Sequence, residues 1–255
     1  MMMKTLILLL IFSFPLESFS GFPALPERRY ACESGDTLIS SLPDYLALLD
    51  RSLYVGEASV RMEIYKNGKM IKFYGMQFYR RGNLMRMEFT EPAPEKGRKM
   101  LNDNSNLWMY LPRTSKVMKL PFKQSFMGSD ASNRDLLKIN FQEDYDLLRA
   151  VPLGDTLVRL ELKARDLTIS YNKVIVWFDL QKQIISRQEM YSLSGKLMKT
   201  MIYEQSKVVG GISVPSLLLI QDQLQKNTLT KMYYSDMKRQ CGKPAEYFTL
   251  GSLKR

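Results

Sequence analysis

Histidine is absent from the 255-residue chain. Its absence removes the general base of a Ser-His-Asp or Cys-His nucleophile system and the commonest nitrogen ligand of zinc. Cysteine is scarce: Cys32 and Cys241 are the two present, and two scattered thiols do not replace the missing imidazoles as a metal site. No glycine-rich phosphate loop occurs. A carboxylate cluster does, in Gln142-Glu143-Asp144-Tyr145-Asp146. Paired carboxylates can serve as acid and base, but the same pattern is the ordinary composition of a solvated turn or helix start. No catalytic residue, metal or cofactor is therefore expected, and most hydrolase and metalloenzyme readings fall away.

Long apolar runs are also missing after the first twenty residues. The chain opens Met1-Met2-Met3-Lys4 and continues through Thr5 to Leu16 as an apolar stretch too short to span a bilayer comfortably. Glu17 interrupts it, which argues against an uncleaved anchor helix. Ser18 and Ser20 are small residues suited to cleavage before Gly21. Residues 1–20 are predicted to be a signal peptide, and the mature protein is expected in the periplasm, peripheral to a membrane at most. No cysteine adjoins the cut, so a lipid anchor is not expected. An oxidising compartment would let Cys32 and Cys241 bridge, tying the ends together for about 5 kcal/mol in the chain-entropy model; two separate thiols are the alternative.

The net charge is +11, from 37 Lys and Arg against 26 Asp and Glu. An exported basic protein meets anionic lipid headgroups and polysaccharide rather than nucleic acid. The charges are spread along the chain, which equally describes a solvated surface.

About 235 residues remain after the signal, enough for one large β domain. Residues 21–54 read as an extended lead-in followed by an amphipathic helix over Thr37 to Asp50. From Val55 the hydrophobic period becomes two, the mark of strands with one buried face. Ala58, Val60, Met62 and Ile64 alternate on one strand, Tyr74, Met76 and Phe78 on the next, and Met85, Met87 and Phe89 on a third, with Asn67-Gly68 and Gly82-Asn83 as turns. Three hairpin-linked strands make an antiparallel meander and exclude a doubly wound α/β fold for this half. Further strands are predicted over Lys99 to Leu101, Leu107 to Leu111, Lys116 to Leu120, Thr156 to Ala164, Lys173 to Leu180, Ile184 to Ser192, Lys196 to Lys207, Ile212 to Asp222 and Asn227 to Met237. Short helices are predicted over Ser132 to Ile139 and Glu143 to Arg149. The residues thus predict a mainly β, antiparallel domain of about a dozen strands over residues 55–240, and a C-terminal tail over 241–255.

One series of motifs carries a resemblance. Phe89-Thr90-Glu91-Pro92-Ala93-Pro94-Glu95-Lys96-Gly97 is followed by Leu107-Trp108-Met109-Tyr110-Leu111-Pro112, then Ser125-Phe126-Met127-Gly128-Ser129-Asp130 and Asp135-Leu136. This order resembles the LolA-like family of outer-membrane lipoprotein-sorting proteins, which includes relatives of LolA, LolB and the RseB sensor domain, and it covers about Val55 to Met237. Ala131 departs from the pattern, which leads one to expect an aromatic residue there. The resemblance implies an incomplete antiparallel β-barrel of about 11–12 strands with short helices covering the open side, and an apolar hollow that shields acyl chains, with lipid or lipoprotein acyl chains as cargo and an inner-membrane transporter and outer-membrane acceptor as candidate partners. The chain is expected to act as a monomer. An RseB-like sensor or adaptor using the same hollow is the alternative.

The 17 methionines suit a cavity for variable hydrophobic ligands, since the thioether side chain is flexible and polarizable. Ordinary core packing is the plainer account of them. The candidate cavity residues are Met62, Ile64, Met76, Phe78, Met85, Met87, Phe89, Trp108 and Tyr110, although Trp108 and Tyr110 alternate with Met109 and point away from it. Phe126, Met127, Gly128, Ser129 and Asp130 form a candidate lid or loop, in which Gly128 permits a sharp turn and Ser129 and Asp130 can cap the helix that follows. Lys96, Arg98 and Lys99 are candidate contacts for lipid headgroups or an acidic partner.

Overall fold

A computed structural model describes residues 44–138 and 140–254. The expected signal peptide, the extension up to residue 43 and Cys32 lie outside the described residues.

Among the described residues thirteen strands form one antiparallel sheet. They are β1 (Glu57–Lys66), β2 (Lys69–Arg81), β3 (Leu84–Glu91), β4 (Lys99–Asn102), β5 (Leu107–Leu111), β6 (Lys116–Leu120), β7 (Tyr145–Leu153), β8 (Leu157–Ala164), β9 (Lys173–Asp179), β10 (Ile184–Tyr191), β11 (Leu197–Val209), β12 (Ile212–Asp222) and β13 (Thr228–Lys238). Three short α-helices accompany them among the described residues: α1 (Tyr45–Ser52), α2 (Asn133–Leu137) and α3 (Phe141–Asp144). Consecutive strands are neighbours everywhere except between β6 and β7, and β1 pairs with β13 in the middle of the order. The sheet is thus a curved meander left open between β6 and β7. Residues 121–144, which carry α2 and α3, connect those two edges.

The local sequence explains most of these elements. Asn67 and Gly68 adopt φ of 51° and 74°, the left-handed pair that a two-residue hairpin turn needs between right-twisted strands. Gly56 lets the start of β1 pass the chain just after β13, where a Cβ would meet the Gln240 and Cys241 backbone at 2.6 and 2.7 Å. Exposed Lys116 and Lys119 on β6, and Arg149 and Pro152 on β7, mark the two edges as poor templates for further pairing.

One face of the sheet is packed with apolar side chains and lies under the crossing segment. Met62 faces Tyr74 and Met232 on the neighbouring strands, Met76 faces Phe89, Phe78 faces Met87, and Met87 faces Met100. The row continues through Leu160, Val176, Met201, Leu218 and Ile220 on the other arm. Each fully buried side chain of this kind contributes about 1.5–3 kcal/mol, and together they form the main core.

The structure corrects one expectation and adds detail to two. Residues 143–149, predicted helical, are helical only through Asp144, and from Tyr145 the chain is β7. A register shift between Leu147 and Arg149 breaks the two-residue period there and leaves Leu148 57% exposed. The helix expected over Thr37 to Asp50 is described over Tyr45–Ser52, with the Asp44 carboxylate accepting from the Ala47 amide at 3.0 Å. Residues 241–255, expected as a tail, form 3₁₀ turns over Ala245–Phe248 and Leu250–Lys254 that bury Phe248 and Leu253 against Leu101 on the outer face.

Candidate functional site

Met62, Ile64, Met76, Phe78, Met85, Met87 and Phe89 share the inner face of β1, β2 and β3. All but half-buried Phe78 are sealed from solvent. Trp108 and Tyr110 do not join them. They face Leu101 and Lys99 on the outer side and pack with the C-terminal 3₁₀ turns, so an outer cover accounts for these aromatics. Trp108 Nε1 also donates to Asp103 Oδ2 at 2.7 Å.

The crossing segment packs over this inner face. Phe126 is fully buried and stacks on Phe89 with ring centroids 6.2 Å apart, and Leu136, Leu137 and Phe141 enter the same core. Two polar latches hold the segment. In the first, Asp130 accepts from the Thr228 and Thr230 hydroxyls on β13 at 2.5 and 2.6 Å and from the Asp222 amide at 3.2 Å. In the second, Asp135 on α2 forms a buried ion pair with Lys199 on β11 and accepts from the Tyr171 hydroxyl at 3.0 Å. Burial, followed by the Asp135 charge, pushes the Tyr171 phenol far above the ordinary tyrosine value and keeps it a donor. Asp50 at the end of α1 adds a third tie, accepting from the Phe141 and Gln142 amides at 2.8 and 3.0 Å; burial raises its pKa.

The loop residues take other roles than capping. Met127 and Gly128 make the sharp turn at φ of 54° and 79°. Ser132, not Ser129 or Asp130, caps α2, in a reciprocal capping box with Asp135. Ser129 is buried within the loop, where its carbonyl accepts from Ser125 Oγ at 2.7 Å.

The three candidate basic residues diverge. Lys96 is exposed on the turn before β4. Arg98 pairs with Glu95 at 2.6 Å and donates to Met127 Sδ at 3.1 Å. Lys99 lies over the Tyr110 ring on the outer face. They do not form one headgroup site. The acidic cluster is divided in the same way: Asp144 pairs with Arg134 at 2.7 Å, Asp146 with Arg165 at 2.8 Å, and Glu143 accepts from Asn83 at 2.8 Å, leaving no facing carboxylate pair. Cys241 is half-buried and packed with the outer cluster, and its expected partner Cys32 lies outside the described residues.

Between the sheet and the crossing segment remain a cavity of about 70 Å³ beside Phe78, Met85, Met87 and Leu218 and one of about 50 Å³ beside Phe141, Met190 and Met201. A polar recess of about 250 Å³ lies at the Asp130 and Lys199 end. On the sheet, the β12–β13 ladder runs only from Leu217 opposite Tyr233 to Ile220 opposite Thr230. Beyond it the strands part, and a groove of about 500 Å³ bordered by Ser216 and Tyr234 opens.

Sequence reasoning missed Lys199, Tyr171, Thr228 and Thr230 as latch residues. No local signal marks them, because their partners lie far along the chain. Lys199 is the nearest to a readable case, being a lysine in the inward phase of β11.

Similar folds have been solved. A LolA superfamily protein from Nitrosomonas europaea is 28% identical, over 81% of this chain and 96% of its own, with a TM-score of 0.71. A DUF1329 family protein from Desulfovibrio piger, at 20% identity, covers 82% of this chain and 96% of its own with a TM-score of 0.70. A domain from Vibrio parahaemolyticus named for outer-membrane lipoprotein sorting, at 21% identity, covers 83% and 95% with a TM-score of 0.69. The comparison with curated proteins gives no match. A family model with the description "Uncharacterized protein" matches residues 82–255. With that match, the shared open meander and the Nitrosomonas relative, the chain belongs to the LolA-like family.

Proposed function

We propose that this protein is an exported, non-enzymatic carrier that shields lipid or lipoprotein acyl chains in the hollow of its sheet. The observation that carries the reading is the construction of the cover. A continuous apolar wall lies under a segment joined to it by side-chain latches, with no strand pairing to β1 or β13. Polar latches can exchange with water when the segment lifts, and the wall then accepts any apolar surface of suitable shape. The cavities of about 50 and 70 Å³ are smaller than the roughly 150 Å³ that admits benzene. Acyl binding therefore requires the crossing segment to move outward.

The test is native mass spectrometry of the mature protein purified gently from periplasm, with identification of extracted lipid. A stoichiometric acyl lipid is expected, and Asp130→Ala, which frees one latch, should raise its occupancy. An empty protein that also takes up no lipid from phospholipid vesicles, in wild type and variant alike, would overturn the reading. Transfer of the bound lipid to acceptor membranes is expected for a carrier; a lipid that stays bound and instead changes affinity for a protein partner would assign the hollow to a sensor or adaptor.

A further inference from the structure

Most polar side chains that reach the inner face are engaged. Asp135 holds Lys199 and Tyr171, Asn102 donates to the Leu137 carbonyl, and Thr230 bonds Asp130. Three that border the two smaller cavities are not matched in this way. Gln188 on β10 is 2% exposed, and its Nε2 has no hydrogen-bond partner. The Tyr203 and Tyr234 hydroxyls on β11 and β13 reach only thioethers, Met201 Sδ at 3.7 Å and Met232 Sδ at 3.9 Å, and sulfur is a weak acceptor. Both tyrosines keep part of their surface exposed, but burial of the ring ends pushes their phenols above the ordinary value, so both remain donors.

The three groups border the cavities already described. Gln188 lines the smaller, Tyr234 the larger, and Tyr203 both. Each of these side chains therefore borders the space that an inserted chain would enlarge. A buried donor with no acceptor, or with only a weak one, is unfavourable, and a hollow for bare hydrocarbon gains nothing from three such groups. An ester, amide or carboxyl oxygen supplies the missing acceptor, whereas an alkyl chain does not.

We infer that Gln188, Tyr203 and Tyr234 form a row of donors that takes the carbonyl oxygens of acyl linkages, so that the hollow selects acyl esters and amides over alkyl chains of equal length. The inference rests on the acyl-binding reading of the same hollow and specifies what part of the ligand is recognised.

Methyl decanoate and dodecane, matched in backbone length, test it by displacement of a fluorescent apolar probe from the mature protein, with affinities corrected for water–octanol partition. The wild type should favour the ester about tenfold, as expected for one net hydrogen bond. Gln188→Leu, and Tyr203→Phe combined with Tyr234→Phe, keep side-chain shape and should bring the ratio toward one. Their melting temperatures should be equal to or above that of the wild type, because unmatched donors have been removed. Equal affinity for ester and alkane in the wild type, or a ratio unchanged in the variants, would overturn the inference while leaving a hydrophobic carrier. Lowered melting temperatures with an unchanged ratio would assign the groups to the fold alone. Failure of either ligand to displace the probe would sink the acyl-binding reading together with the inference.

Discussion

The two faces of the sheet are written in the same strands but solve different problems. On β3 the inner side chains are Met85, Met87 and Phe89 and the outer ones Arg86 and Glu88; β1 sets Met62 and Ile64 against Arg61 and Glu63, and β8 sets Leu160 and Leu162 against Arg159 and Glu161. The outer Arg and Glu side chains pair two residues apart along their own strand, at 2.7–2.8 Å. Arg61 and Arg159 keep part of their surface in solvent, whereas the C-terminal turns lie over Arg86. The inner rows make no such demand for partners and can be covered by any apolar surface, here by residues 121–144. The difference separates a surface whose charges are paired within each strand from one that is complete only when something apolar lies on it, which is the property a carrier requires.

Breaking the inner cover should have the largest effect. Lys199→Ala leaves Asp135 on α2 as a buried charge without its counter-ion and should cost about 3–5 kcal/mol, read as a shift in the urea midpoint. A loss under 1 kcal/mol would mean that the ion pair does not hold the segment down. On the outer face the effect should depend on the local cover. Arg86 is 1% exposed; it holds Glu88, the Tyr247 carbonyl at 2.7 Å and Ser252 Oγ at 2.8 Å, and lies 3.9 Å from the Tyr247 ring centroid. Arg86→Ala should cost about 2–3 kcal/mol and release the C-terminal turns to protease. Arg61, 48% exposed beside Glu63, has no such cover, and Arg61→Ala should cost under about 1 kcal/mol. Equal losses at the two positions would remove the distinction.

The smallest effect should come from acid. Glu57 accepts from the Gly242 amide at 2.6 Å and from Lys238 at 3.2 Å, and these contacts, the amide first, hold its carboxyl below the ordinary glutamate value of 4.5. A depressed folded value means that the contribution is complete above 4.5 and lost as pH falls through the folded value. The Gly242 amide shift should titrate with a midpoint below 4.5, and the titration should vanish in Glu57→Gln; a midpoint at or above 4.5 contradicts the pairing.

Much of this was legible in the chain. Alternation named the inward residues of β1, β2 and β3, and turn residues placed the hairpins between them. β7 was not legible, because an acidic helix start, a bulge at Leu147 to Arg149 and Pro152 on an edge strand erase the period that identifies a strand. Trp108 and Tyr110 had the right phase for the outer face, but their cover comes from residues 245–254.

The sequence by itself determined which side chains share a face and where the chain reverses, because both follow from a period of two residues and from the φ values that Asn and Gly adopt. Only the tertiary structure decided that β1 closes on β13, that the opening falls between β6 and β7, and that Asp135 meets Lys199 64 positions away. Those outcomes depend on contacts between distant segments, which no local pattern encodes.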